Sequence, residues 1–159
     1  MKSLFSLICL GILVATLPSC GQKEDTAPAN KAASFQVINV LEKDFYDDAH
    51  ITGSINVPLM KVKEYAAPLD RNTQIVVYCA NYPCSASSAA WRDLTKMGFT
   101  NVWVYEGGTA EWFQMGLPIQ GPAQQEYIRG PNERGEIDPN IRAIEASELK
   151  AKMEAAGLL

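Results

Sequence analysis

Apolar positions in this chain follow two rhythms. Short runs rich in β-branched and aromatic residues fall at 35–41, 75–79 and 101–105, the second reading Ile75-Val76-Val77-Tyr78-Cys79. Runs of that length with few polar breaks predict strands covered on both faces, as in a parallel sheet. Between them the spacing changes. Ala86, Ala89, Ala90, Leu94 and Met97 recur at helical intervals and Gly98 follows them, which predicts a helix over 85–97 ended by a glycine. A shorter helix is predicted over 109–115, carrying Trp112 and closed by Gly116. Residues 42–58 read as a turn-rich segment. Further along, 141–144 predicts a strand, and the stripe Leu149, Met153, Ala156 predicts a helix over 146–156. Strands alternating with helices in this way imply an α/β fold: a mainly parallel sheet with helices on both faces.

The first residues follow a different pattern. Lys2 precedes an apolar run from 4 to 17, the length of a signal-peptide core and short of the roughly 20 residues a membrane span needs. Leu17-Pro18-Ser19-Cys20-Gly21 follows and resembles a bacterial lipobox, so residues 1–19 are expected to be a lipoprotein signal peptide and Cys20 the lipidated residue. Cleavage after Ala27-Pro28-Ala29 is the rival, disfavoured by the charges at Lys23, Glu24 and Asp25. Residues 20–33 are small, polar and charged, and read as a flexible tether. The rest divides into a core at 34–120, a Gly/Pro-rich crossing at 121–140 and the strand and helix of 141–159. About 125 residues are enough for one domain.

The formal net charge is −4, and it becomes −5 without residues 1–19. With no Lys/Arg cluster to offset that balance, a nucleic-acid partner is not expected. Of four cysteines, Cys9 and Cys20 belong to the processed segment, leaving Cys79 and Cys84 as thiols of the domain. Two thiols and a single histidine, His50, do not make a closed zinc site, and neither metal nor cofactor is expected.

Cys79 stands where a strand gives way to a short loop that opens a helix: Cys79-Ala80-Asn81-Tyr82-Pro83-Cys84-Ser85-Ala86. Free N–H groups at a helix start favour a sulfur anion, so Cys79 is the expected nucleophile. The expected substrate-binding groups are those of Ala80, Asn81, Tyr82, Ser85 and Ala86. Cys84 is either a resolving thiol for Cys79 or a small residue packed at the helix start. His50 reads as structural, and Trp91, Trp103 and Trp112 as core residues. Arg92 and Lys96 read as a solvated face, and Ser85, Ser87 and Ser88 as helix-start residues that satisfy free N–H groups.

Three stretches together resemble the rhodanese (sulfurtransferase) homology domain. The first joins Val37-Ile38-Asn39-Val40-Leu41 to His50-Ile51-Thr52-Gly53-Ser54-Ile55-Asn56-Val57-Pro58. The second is the cysteine strand and loop, 75–85. The third runs from Gly98-Phe99 through Gly107-Gly108 and Trp112 to Gly116-Leu117-Pro118-Ile119. The resemblance covers roughly 35–120 and implies transfer of a sulfane sulfur through a Cys79 persulfide. Three departures stand out. The family's Asp-Val-Arg is here Asn39-Val40-Leu41, its loop arginine is replaced by Cys84, and its opening strand and helix have no room before Phe35. Residues 141–156 resemble that missing opening, so a circular permutation is expected, with a domain swap or a simple appendage as rivals. With Ser85 at the arginine position of the related cysteine phosphatases, phosphatase chemistry is disfavoured.

The resulting expectation is an envelope sulfurtransferase, lipid-anchored with its domain in the periplasm or outside the membrane. Its partners would be a small sulfur donor or persulfide carrier, a thiol acceptor, and the membrane through its lipid. It would be a monomer or a swapped dimer. A thiol-disulfide switch using Cys79 and Cys84, and a non-catalytic binding module, are the alternatives.

Overall fold

The computed structural model describes residues 34–136 and 138–159; the expected signal peptide, Cys20 and the whole tether lie outside them. Strand β1 (Phe35–Asn39) leads into helix α1 (Lys43–Asp48), then two short strands, β2 (His50–Ile51) and β3 (Ile55–Asn56). Helix α2 (Val62–Ala66), strand β4 (Gln74–Tyr78), helix α3 (Ala86–Lys96), strand β5 (Val102–Tyr105) and helix α4 (Gly108–Gln114) follow. Strand β6 (Ile119–Gln120) pairs antiparallel with β2, and helix α5 (Ala146–Ala155) comes after the crossing. The main sheet is parallel, in the order β3-β1-β4-β5, with β4 between β1 and β5.

Side-chain alternation along the strands builds two cores. Ile38, Val40, Ile75, Val77, Cys79, Val102 and Val104 face one side with Val62 and Ala66 of α2 and Ala90 and Leu94 of α3. Val37, Val76, Tyr78, Trp103 and Tyr105 face the other, with Trp112 of α4 and Ala146, Leu149 and Met153 of α5. Each strand therefore feeds both layers, which explains the nearly unbroken apolar runs. The expected fold class holds: an α/β domain with helices on both faces of a parallel sheet.

Several local expectations change. Residues 42–58 form α1, β2 and β3 as well as turns. The Tyr78 hydroxyl organises that segment from beneath, accepting from the Ile51 amide at 3.0 Å and sharing a 2.7 Å hydrogen bond with the Ser54 hydroxyl. The strand expected at 141–144 is reduced to one bridging residue, Ala143, paired in parallel with Val104. Val104 N–H donates to the Arg142 carbonyl and Ile144 N–H to the Val104 carbonyl, both at 2.9 Å. The tail thus covers the β5 edge of its own sheet, and α5 buries Leu149 and Met153 completely. Gly53 (φ +80°) receives the backbone of Leu158 so closely that a Cβ would strike its carbonyl oxygen.

Candidate active site

The loop Cys79–Cys84 leaves the carboxyl end of β4 in the middle of the sheet, the usual place for reactive groups in open parallel folds. It is pinned from below by α4. Thr109 N–H donates to the Cys79 carbonyl at 3.1 Å and Ala110 N–H to the Ala80 carbonyl at 2.9 Å. That approach requires Gly108 at φ +62°, because a Cβ there would lie 2.6 Å from the Cys79 and Ala80 carbonyl oxygens. At the other end, Cys84 N–H donates to the Asn81 carbonyl at 3.1 Å and closes the turn.

The cradle of main-chain donors forms, but around the second cysteine. The Cys84 thiol is held down to about 6, chiefly by a hydrogen bond from the Cys79 thiol. The N–H groups of Ala80 and Ala86 also favour its anion, against the opposing cost of partial burial. Cys79, the expected nucleophile, is fully buried. Its sulfur lies 3.1 Å from the Cys84 carbonyl oxygen and 3.3 Å from the Ser87 hydroxyl. Its pKa is raised by the Cys84 sulfur beside it and by burial, against the Ser87 hydroxyl and N–H, which favour its anion. Alternation explains the placement: Cys79 continues the Ile75, Val77 face and points beneath α3, whereas Cys84 directly precedes the turn into that helix. Both cysteines are free thiols.

Ser85 takes the N-cap position of α3, yet its side chain caps nothing. The first helical amides serve sulfur instead, Ala86 N–H for Cys84 and Ser87 N–H for Cys79. Of the expected binding residues, Ala80 and Ala86 supply donors to Cys84, Asn81 supplies the turn carbonyl, and Tyr82 and Ser85 line the opening.

That opening is a cavity of about 200 Å³ over Cys84. Its wall includes Tyr82, Arg92, Glu106, Glu136 and Asp138. Arg92, expected on a solvated face, bonds Asp138 at 2.9 Å. The rim therefore carries more negative than positive charge. Two of these residues, Glu136 and Asp138, come from the crossing, whose sequence gave no signal of a role at the site. Asn132 accepts the Tyr82 N–H at 2.9 Å and donates to the Gly107 carbonyl at 3.0 Å, lacing the loop to the turn before α4. Arg134 lies over the Tyr82 ring and pairs with Glu145. The Tyr82 hydroxyl donates to Glu111 at 2.8 Å. His50 stacks on Tyr46 and bonds its carbonyl at 2.7 Å, a structural role.

Comparison with known proteins agrees with this architecture. The model of the rhodanese-like domain family matches residues 24–115. The chain belongs to the rhodanese-like family. It is 27% identical over 82 residues to thiosulfate sulfurtransferase GlpE of Coxiella burnetii, covering 52% of this chain and 75% of that one. It is also 27% identical over 114 residues to the HTH-type transcriptional regulator Rv0324 of Mycobacterium tuberculosis, covering 68% of this chain and 50% of the regulator. The solution structure of the rhodanese-like domain of Alr3790 from Anabaena sp. superposes with a TM-score of 0.51 at 26% identity, over 66% of this chain and 79% of that domain. The chain is thus similar both to a protein named as a sulfurtransferase and to one named as a regulator.

Proposed function

We propose that this rhodanese-like domain is a sulfurtransferase that carries a sulfane sulfur on Cys84, with Cys79 as its hydrogen-bonding partner. The observation that carries this is the Cys84 thiol, lowered to about 6, lining an open cavity while Cys79 is sealed beneath it. The Cys84 thiolate attacks the outer sulfur of a donor R–S–S⁻, forming Cys84–S–S⁻ and releasing R–S⁻. The Ala80 and Ala86 amides and the Cys79 thiol hold the anion until a thiol acceptor takes the sulfur away.

The acidic rim supports a donor of low negative charge, such as an alkyl persulfide, over the thiosulfate dianion. A lipid anchor on Cys20 would hold the domain at the bacterial envelope, in the periplasm or outside the membrane, as a monomer. Support for that placement is the apolar run and lipobox of the sequence. Cys20→Ser is expected to move the chain from the membrane fraction to the soluble one.

The deciding experiment is intact mass after exposure of the reduced chain to an alkyl persulfide. A gain of one sulfur on Cys84 in Cys79→Ser, and none in Cys84→Ser, is expected. Loading that survives Cys84→Ser and vanishes in Cys79→Ser overturns the assignment. The proximity of the two thiols also favours a second reading, a thiol-disulfide switch, which would show loss of two hydrogens under mild oxidation and no sulfur gain.

A further inference from the structure

The two thiols of the loop differ in access. Cys84 lines the cavity, and the Cys79 sulfur lies beneath it, 3.1 Å from the Cys84 carbonyl oxygen. Cys79 is fully buried, with Cys84, Asn81 and Ser87 around its sulfur, so no external thiol or donor reaches it. Its available reaction partner is Cys84. A resolving thiol needs this placement, since it must meet the inner sulfur of a persulfide while the outer sulfur faces an exit.

From this we infer that the domain is also a persulfide reductase: Cys79 resolves the Cys84 persulfide and expels the carried sulfur as hydrosulfide. The inference rests on the Cys84 carrier assignment above. In the step, the Cys79 sulfur attacks Cys84 Sγ of Cys84–S–S⁻. The Cys79–Cys84 S–S bond forms and the bond between Cys84 Sγ and the outer sulfur breaks. That bond's electron pair leaves on the outer sulfur, which takes the Cys79 proton and departs through the cavity as HS⁻. The carried sulfur is reduced from the sulfane level to sulfide, and the two cysteine sulfurs are oxidised to a disulfide. An external dithiol then reduces the disulfide and restores both thiols.

Three features of the site serve this step. The Ser87 hydroxyl at 3.3 Å and the Ser87 N–H face the Cys79 sulfur and can support the charge that develops on it as its proton leaves. Thr109 and Ala110 tie down the Cys79 and Ala80 carbonyls, so the attacking residue is held on a fixed base. The acidic rim formed by Glu106, Glu136 and Asp138 disfavours retention of a hydrosulfide anion in the cavity.

The test uses the full-length reduced chain, loaded with an alkyl persulfide, freed of excess donor and kept without added thiol. The wild type is expected to release about one sulfide per chain, read by a sulfide-selective probe. Peptide mass mapping should then show a Cys79–Cys84 disulfide. Cys79→Ser, with Cys79→Ala as a second variant, should hold the extra sulfur on Cys84 and release none until thiol is added. A wild type that keeps its extra sulfur on Cys84 and waits for external thiol overturns the reductase inference and leaves the carrier assignment standing. Failure of every variant to gain sulfur overturns the carrier assignment and the reductase with it.

Discussion

The Cys79 sulfur lies 3.1 Å from the carbonyl oxygen of Cys84, five residues further along the chain. This contact curls the loop so that the buried cysteine supports the accessible one. The Cys79 sulfur packs against that carbonyl, its thiol supports the Cys84 anion, and the Ala80 and Ala86 amides complete the cradle.

Reactivity should follow the Cys84 anion. Its rate of alkylation by iodoacetamide is expected to rise through about pH 6 and level off above neutrality, where an ordinary thiol would still be climbing towards about 8.5. Cys79→Ala removes the largest support and should move the inflection upward. The sign for stability follows from the same depression: the Cys84 contribution is complete above the unfolded thiol pKa and is lost as pH falls through about 6. Urea midpoints compared between pH 8.5 and 5.5 should fall more in the reduced wild type than in Cys84→Ser.

Asn132→Ala should loosen the loop without unfolding the domain. The Tyr82 amide and the Gly107 carbonyl each lose a partner, at a cost of about 1 kcal/mol per hydrogen bond. The expected readout is a higher alkylation inflection for Cys84 with a melting temperature lowered by several degrees.

Gly108→Ala and Gly98→Ala separate backbone conformation from crowding. Both glycines have positive φ, so each substitution costs about 1–2 kcal/mol from that source. Gly98 faces open space, whereas a Cβ on Gly108 meets the Ala80 carbonyl at 2.6 Å. Gly108→Ala should therefore destabilise the domain by more than Gly98→Ala and should also abolish sulfur loading. Denaturant titration and intact mass read the two effects.

Leu149→Ala tests the tail. Leu149 is fully buried against the sheet with Trp112 and Met153 in the same core, so truncation should cost about 2–5 kcal/mol. Thermal unfolding should shift downward by several degrees in a single transition, because the tail shares the core of the domain.

The elements that could be read from sequence were those with a strong physical signature. Val76, Val77 and Tyr78 sit on a strand covered on both sides, and Ala90 and Leu94 mark the buried stripe of α3. Helix α2 was harder to see: five residues long, it buries only Val62 and Ala66 and shows little more than one turn of pattern. Ala143 forms one bridge where a strand was expected, since only its neighbours Arg142 and Ile144 exchange hydrogen bonds with β5. At the site, the sequence indicated the loop and both cysteines. Which sulfur becomes acidic depends on how the loop curls beneath α3. The period-two pattern Ile75, Val77, Cys79 already placed Cys79 on the buried face, and that signal outweighs nearness to a helix start. Asn132 acts across 50 residues of sequence on Tyr82, a relationship no local pattern encodes.

The cap on β5 has a consequence for biogenesis. Ala143 and α5 emerge from the ribosome only after β1, β4 and β5, so the growing chain must carry an exposed sheet edge and an uncovered Trp112 face for some time. A chain stalled before residue 141 would present both to its neighbours. Its transit to a final destination would then call for a holdase or rapid completion of synthesis.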